Sequence, residues 1–254
     1  MKERSPEPAM SNTPSEIIYL DRVDSTNSYL LRNPELLRVP WTTIVAREQT
    51  GGRGRKERTW HSAPEKDLTF SLVYHPPGKV RQIRLVTLVV GLAVQRALGR
   101  LSGITASLKW PNDIRIKGKK VCGILTELHL GEGGAAVIIG VGLNVNSQAH
   151  PAPAVSGATS LLLESGEEHD LASLLQRIRN EMIDLLSRFS SGQRKDMLRR
   201  WREASDSIGK KIRTVLSGRV LEGIFRDLTE DGEVILLDAR GKTHVCTGEI
   251  EYLS

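Results

Sequence analysis

Residues 134–146, GAAVIIGVGLNVN, constrain the fold more tightly than any other stretch of the chain. With the period of two that a strand imposes, Val137, Ile139, Val141, Leu143 and Val145 fall on one face, and Gly140, Gly142, Asn144 and Asn146 on the other. The apolar face needs a covering layer. The glycine face admits something close, either a packed helix or a ligand. The run 121–130 predicts a partner strand, and Gly131-Glu132-Gly133-Gly134 between the two predicts a hairpin turn.

Around this pair the chain alternates strand and helix signals. Residues 17–20, 42–47 and 68–74 read as strands, and Asp24-Ser25-Thr26-Asn27 offers capping side chains for a helix carrying Tyr29, Leu30 and Leu31. Ile83, Val86, Val90, Val94, Ala97 and Leu101 mark one long helix over 80–101, and residues 171–189 a second, with a short one at 197–201. From Gly209 the pattern changes to short β runs at 212–216, 220–225, 234–237 and 243–246, which predict a small β-barrel or sandwich. Residues 1–15, with Pro6, Pro8 and Pro14, are expected to form a disordered tail. This divides the chain into a tail (1–15), a main domain (16–206) and a small β domain (207–254), an α+β arrangement.

No apolar run in the 254 residues approaches the ~20 needed to span a membrane, and no secretory signal opens the chain. The two cysteines, Cys122 and Cys246, support neither a disulfide framework nor a zinc cluster, which points to a reducing, cytoplasmic setting. The net charge of +6 is concentrated. Residues 47–58 carry +3 and residues 109–120 carry +4, leaving −1 for everything else. Two loops converging on one compact anion site would use that charge; two separate solvated loops would not.

Three segments carry chemistry. Gly51-Gly52-Arg53-Gly54-Arg55-Lys56-Glu57-Arg58-Thr59-Trp60 combines a backbone free to wrap a ligand, guanidiniums suited to phosphate or carboxylate, and a ring that can stack. It is expected to be mobile when empty and ordered by ligand; a nucleic-acid-binding loop is the other reading. No Gly-Lys-Ser/Thr closes a P-loop. In Lys109-Trp110-Pro111-Asn112-Asp113 the proline forces a turn that projects Asn112 and Asp113. Lys120, at the mouth of the next strand, is either a solvated edge residue or a point charge aimed at an anion.

Taken together in order, Gly52-Arg53-Gly54-Arg55-x-x-Arg58-x-Trp60, Lys109-Trp110-Pro111-Asn112-Asp113, Lys120-Val121-x-Gly123-Ile124-Leu125-x-Glu127 and Gly140-x-Gly142-Leu143-Asn144-Val145-Asn146 resemble the biotin protein ligases. Asp24-Ser25-Thr26-Asn27 and Ala158-Thr159-Ser160-Leu161 are similar to that family too. The resemblance implies a mixed sheet flanked by helices, like the class II aminoacyl-tRNA synthetases, followed by a Src-homology-3-like barrel. It implies formation of biotinyl-adenylate from biotin and ATP with Mg²⁺, then transfer to a lysine of a biotin carboxyl carrier domain. By the same resemblance Ser25, Thr26, Asn27, Gln49, Arg53, Gly54, Arg55 and Lys120 contact biotin. Arg58, Trp60 and Asn144 serve the nucleotide, and Lys120, Asp113 and Arg55 assist catalysis.

No metal ligand is assigned to the protein itself. Glu57 stands where the family loop has glycine. With only a short tail ahead of the main domain, no DNA binding is expected, and the chain is expected to be a monomer or weak homodimer. The competing readings are a lipoate ligase, which lacks the Gly-Arg-Gly-Arg loop, and a non-catalytic nucleic-acid-binding protein.

Overall fold

The computed structural model describes residues 16–77, 83–101, 103–131, 134–148, 157–216, 218–247 and 250–253. The expected tail, the start of the first long helix before Ile83 and the middle of the Gly131–Gly134 turn lie outside them.

Seven strands form the main sheet: β1 (Ile17–Val23), β2 (Thr43–Gln49), β3 (Leu68–Tyr74), β4 (Ala106–Lys109), β5 (Asp113–Ile116), β6 (Lys119–Gly131) and β7 (Gly134–Leu143). Their order is β1-β2-β3-β7-β6-β5-β4. The first two run parallel, joined through helix α1 (Thr26–Arg32) as a parallel pair requires, and all other neighbours are antiparallel. The sheet is therefore mixed. β6 and β7 form the long antiparallel pair the alternation predicts, in register from Cys122↔Leu143 to Gly131↔Gly134.

Each face of β7 meets its own layer. Val137, Ile139, Val141, Leu143 and Val145 lie in the main core, which α2 (Ile83–Leu98), α4 (Leu171–Ser190) and α5 (Arg194–Ala204) share. Ala136 and Ile138 face the other way, into a smaller core with Leu30 and Leu37 on the α1 side. Helix α2 is buried at every position from Leu85 to Val94, not along one stripe, because α4 and α5 pack against it opposite the sheet. Cys122 is a core thiol, and burial pushes its pKa up.

Several elements are absent from the sequence reading, among them 3-10 turns at Leu36–Arg38 and Arg55–Glu57. Strands β4 and β5 flank the Trp110-Pro111 turn, a short helix α3 covers Leu161–Ser165, and β12 (Ile250–Tyr252) closes the described chain. The side chains of 24–27 do not cap α1 as expected. Ser25 is the N-cap residue but its side chain accepts nothing from the helix; the Gln49 Oε1 atom accepts the Thr26 N–H at 2.8 Å instead.

The C-terminal strands β8 (Lys211–Leu216), β9 (Arg219–Leu228), β10 (Val234–Leu237), β11 (Thr243–Cys246) and β12 form a second, antiparallel sheet in the order β11-β10-β9-β8-β12. Among the described residues β11 and β12 are its edges and do not pair with each other, so the closed barrel expected from the sequence is an open sheet here.

This sheet is not peripheral. Ile212, Phe225, Leu228, Val234, Leu236 and Cys246 belong to the same core as α2 and β7. Trp110, 2% exposed, ties the two sheets together: its indole N–H donates to the Gly232 carbonyl at 3.0 Å and its backbone N–H to Ser207 Oγ at 3.1 Å. Tyr252 donates its hydroxyl to the same Ser207 Oγ at 2.6 Å. Trp110→Phe removes the donor and leaves a buried carbonyl unsatisfied as well as a small void. A destabilisation of about 2–4 kcal/mol is expected, measured as a lower urea midpoint. A shift below about 0.5 kcal/mol, the range of ordinary surface substitutions, would remove Trp110 from this role.

Candidate active site

The glycine face of β7 is the floor of a cleft of about 520 Å³. Gly140 lies under Asn27 of α1, so closely that an added Cβ would stand 2.5 Å from Asn27 Oδ1. Gly142 lies under Trp60, whose ring an added Cβ would overlap, and Gly123 on β6 leaves room for the same ring. Of the two readings of the glycines, Gly140 fits the packed helix, while Gly142 admits the Trp60 ring of the loop.

All twelve residues singled out in the sequence line this one cleft: Ser25, Thr26, Asn27, Gln49, Arg53, Gly54, Arg55, Arg58, Trp60, Asp113, Lys120 and Asn144. The two cationic segments converge on it.

At one end is a buried polar cluster. Ser25, Thr26 and Asn27 are 3–4% exposed. Thr26 Oγ lies 3.1 Å from Gln49 Oε1 and 2.7 Å from Ser71 Oγ, which also reaches Asn27 Oδ1 at 2.5 Å. Asn27 Nδ2 donates to Glu127 Oε2 at 2.7 Å. Arg32 hydrogen-bonds to Asp24 just ahead of this turn and holds that carboxyl down at about 2. Such a cluster offers donors and acceptors in a dry setting, which suits a small polar group on an otherwise apolar ligand.

At the other end stand the charges. Lys120 Nζ lies 2.7 Å from Asp113 Oδ1 and 5.5 Å from the centre of the Trp60 ring. The Lys120 backbone is fixed on both sides, its N–H donating to Gly157 O at 2.7 Å and its carbonyl accepting from Thr159 N at 2.8 Å. Its ammonium, paired with Asp113, lines the cleft. The Ala158-Thr159-Ser160-Leu161 segment helps fix that backbone, and Asn144 Nδ2 anchors the segment by donating to Thr159 O at 2.9 Å. Asn112 pins the Trp-Pro turn to β6 through Ile124 O at 2.9 Å, and Arg55 Nη1 reaches Asn112 Oδ1 at 3.5 Å.

The loop 51–60 folds over the cleft, with an Arg53↔Thr59 bridge and a Trp60 N–H donating to Gly52 O at 2.8 Å. Lys56 and Glu57 both adopt the left-handed region, at φ 52° and 59°. That conformation favours glycine, which accounts for the residue type expected at position 57 and places strain there in this chain.

The sequence reading gave no role to Ser71, Lys109, Ile250 or Glu127. Lys109 lines the cleft; burial and then neighbouring Arg115 lower its pKa, and its Nζ sits 4.9 Å from the Tyr252 ring centre. Ile250 brings the C-terminal sheet to the cleft wall. Glu127, quoted in a motif without a role, accepts from both Asn27 and Arg53. Among the described residues no group of three or more His, Cys, Asp or Glu is placed to hold a metal ion.

Comparison with known proteins follows the same lines. The biotin/lipoate A/B protein ligase family model matches residues 19–144. A biotin--[acetyl-CoA-carboxylase] ligase of Paracoccus denitrificans is 30% identical over 238 residues, covering 91% of this chain and 98% of that protein. The chain belongs to the biotin protein ligase family. A family member from Mycobacterium tuberculosis is 31% identical over 90% of this chain and 86% of its own length. Among solved structures, the biotin protein ligase from Aquifex aeolicus in complex with biotin and ATP superposes with a TM-score of 0.79 at 29% identity, covering 93% of this chain and 98% of that one. The bifunctional ligase/repressor BirA of Bacillus spizizenii is 39% identical over 165 residues. The chain's match spans only about half of that longer biotin protein ligase relative, 51% of its length.

Proposed function

We propose that this chain is a biotin protein ligase that joins biotin to ATP and then passes it to a lysine of a carboxylase carrier domain. The observation that carries the reading is the single cleft in which an amide and hydroxyl cluster (buried Thr26, Asn27 and Ser71 with half-buried Gln49) opens onto Lys120 beneath an arginine loop.

The chemistry follows from that polarity. Biotin's ureido ring suits the dry polar end, where Ser25, Thr26, Asn27 and Gln49 supply complementary groups. Its valeryl chain then directs the carboxylate toward Lys120, with Arg53, Gly54 and Arg55 closing over it. The carboxylate oxygen attacks the α-phosphorus of ATP, the bond to the bridging oxygen breaks, and pyrophosphate leaves. Lys120 and Arg55 neutralise charge that builds on the carboxylate and phosphate oxygens. Trp60 stacks on the base, while Arg58 and Asn144 hold the nucleotide. In the second step the amine of an acceptor lysine attacks the acyl carbon, the acyl–phosphate bond breaks and AMP leaves; Asp113 is placed to take the amine's proton. No covalent bond to the enzyme is needed.

Magnesium fits as part of the substrate. The described cleft lining presents one carboxylate, Asp113, already paired with Lys120. Mg²⁺ bound chiefly by phosphates and water is the ordinary arrangement for such sites and reduces the charge the nucleophile must approach.

We also infer the domain division at residues 16–206 and 207–254, a class II synthetase-like main sheet, and a Src-homology-3-like C-terminal unit, which five short antiparallel strands support. A cytoplasmic setting and a monomer or weak dimer complete the reading. No described helix is long and apolar enough to cross a membrane.

Purified protein incubated with biotin, labelled ATP and Mg²⁺ is expected to yield biotinyl-adenylate and pyrophosphate. Pyrophosphate release with lipoate and none with biotin would overturn the substrate. Arg55→Gly is expected to raise the rate at which adenylate escapes more than it slows its formation, because the loop excludes water from the mixed anhydride. Single-turnover formation and dissociation rates measure both; an unchanged dissociation rate would leave Arg55 as surface charge.

A further inference from the structure

Three chain segments far apart in sequence meet at one carboxylate oxygen. Glu127 Oε2, on β6, accepts Asn27 Nδ2 at 2.7 Å and Arg53 Nη2 at 2.6 Å. Asn27 belongs to the first turn of α1, beneath the polar end of the cleft, and Arg53 to the arginine loop above it. Glu127 is itself outside the cleft lining, with its side chain 25% exposed.

Its two contacts do different things. An asparagine amide has chemically opposite ends, and nothing intrinsic decides which way it points. Glu127 is acceptor only and, with the Leu125 carbonyl at 3.4 Å, holds Nδ2 toward β6, which turns Oδ1 to Ser71 over Gly140. The same oxygen pairs Arg53 with the carboxylate that holds Asn27, at the polar end of the cleft. That pairing neutralises one of the loop's cations and sets where the loop lands.

We propose that Glu127 is a positioning residue that couples the ring end of the biotin site to the arginine loop, so that orienting Asn27 and seating Arg53 are one event. The inference rests on the function proposed above. Glu127 touches no reacting atom. Its removal therefore acts on biotin affinity and on loop position, and leaves the attack on ATP intact once biotin is bound.

Glu127→Gln keeps the volume but replaces a two-way acceptor with an amide that also donates. Loss of charge-assisted bonds of this kind predicts a rise of ~10–100-fold in KM for biotin. The value of kcat at saturating biotin is expected to stay within about threefold, and KM for ATP likewise. Protease cutting within residues 51–60 is expected to rise in the biotin-free variant. In an Arg53→Gln background the same change is expected to add far less, since the two residues share one interaction. Glu127→Asp, tested beside it, retains the charge and is expected to recover part of the biotin KM; it also carries the test if the glutamine variant does not fold.

A merely structural glutamate gives a different pattern, with a lower urea midpoint and a reduced active fraction but an unmoved biotin KM. That pattern, or full additivity with Arg53→Gln, overturns the proposal. Wild-type protein assayed in parallel separates the two readings. Absence of biotinyl-adenylate from wild type overturns the function, whereas wild-type adenylate with an unmoved KM in Glu127→Gln overturns this inference alone.

Discussion

Lys120→Ala is expected to lower the rate of biotinyl-adenylate formation by ~10–150-fold, the range of a charge-assisted contact of about 1.5–3 kcal/mol at 1.4 kcal/mol per tenfold. The Lys120 backbone is hydrogen-bonded on both sides, and its ammonium reaches the cleft 2.7 Å from Asp113. Removing it leaves Asp113 as an uncompensated negative charge beside the approaching carboxylate and phosphates, so repulsion is added to the lost attraction. Lys120→Arg is expected to recover little, because a planar fork on a longer stem does not occupy the place of a compact point charge. Quenched-flow measurement of adenylate with saturating biotin and ATP reads the effect. A rate within about threefold of wild type would return Lys120 to the solvated edge of the sheet.

Gly142→Ala is the smallest change with a comparably large consequence. One methyl group at this position overlaps the Trp60 ring, which must leave its seat on the sheet. If Trp60 carries the base, the loss of a stacking platform worth about 1–3 kcal/mol raises KM for ATP by ~5–150-fold. Biotin binding at the Asn27 end is expected to change little. Pairing Gly142→Ala with Trp60→Ala distinguishes this from general damage to β7, since the double variant should be no worse than Trp60→Ala alone. A further loss in the double variant would mean that Gly142 serves the strand and not the ring.

The two substitutions act on features of unequal visibility in the sequence. Gly142 announced itself, because a strand period of two sorts glycines and asparagines away from valines without any knowledge of neighbours. The convergence of residues 47–58 and 109–120 was also legible, as charge confined to two loops. What stayed hidden depends on distance along the chain. Strands β4 and β5 are four residues each and become strands by pairing with one another and with β6, a tertiary effect that outweighs weak local preference. Trp110 reads as part of a turn, yet its indole serves a carbonyl 122 residues later. Nothing in the sequence pairs Lys109 with Tyr252, whose ring lies 4.9 Å from its ammonium. Glu127 lay inside a quoted motif, but its role required knowing that Asn27 and Arg53 arrive at the same oxygen.

The route by which the cleft is closed also has a consequence for synthesis on the ribosome. Asn27, Arg53, Lys120 and Gly142 are all translated early, yet Ile250 forms part of the wall and Tyr252 lies beneath Lys109. At elongation rates of about 5–20 residues per second, the nascent chain carries most of its ligand groups for several seconds before the last strand can emerge to complete the pocket. Synthesis order therefore separates the cleft into a floor made early, on β6 and β7, and a piece of wall, at Ile250, made well after it.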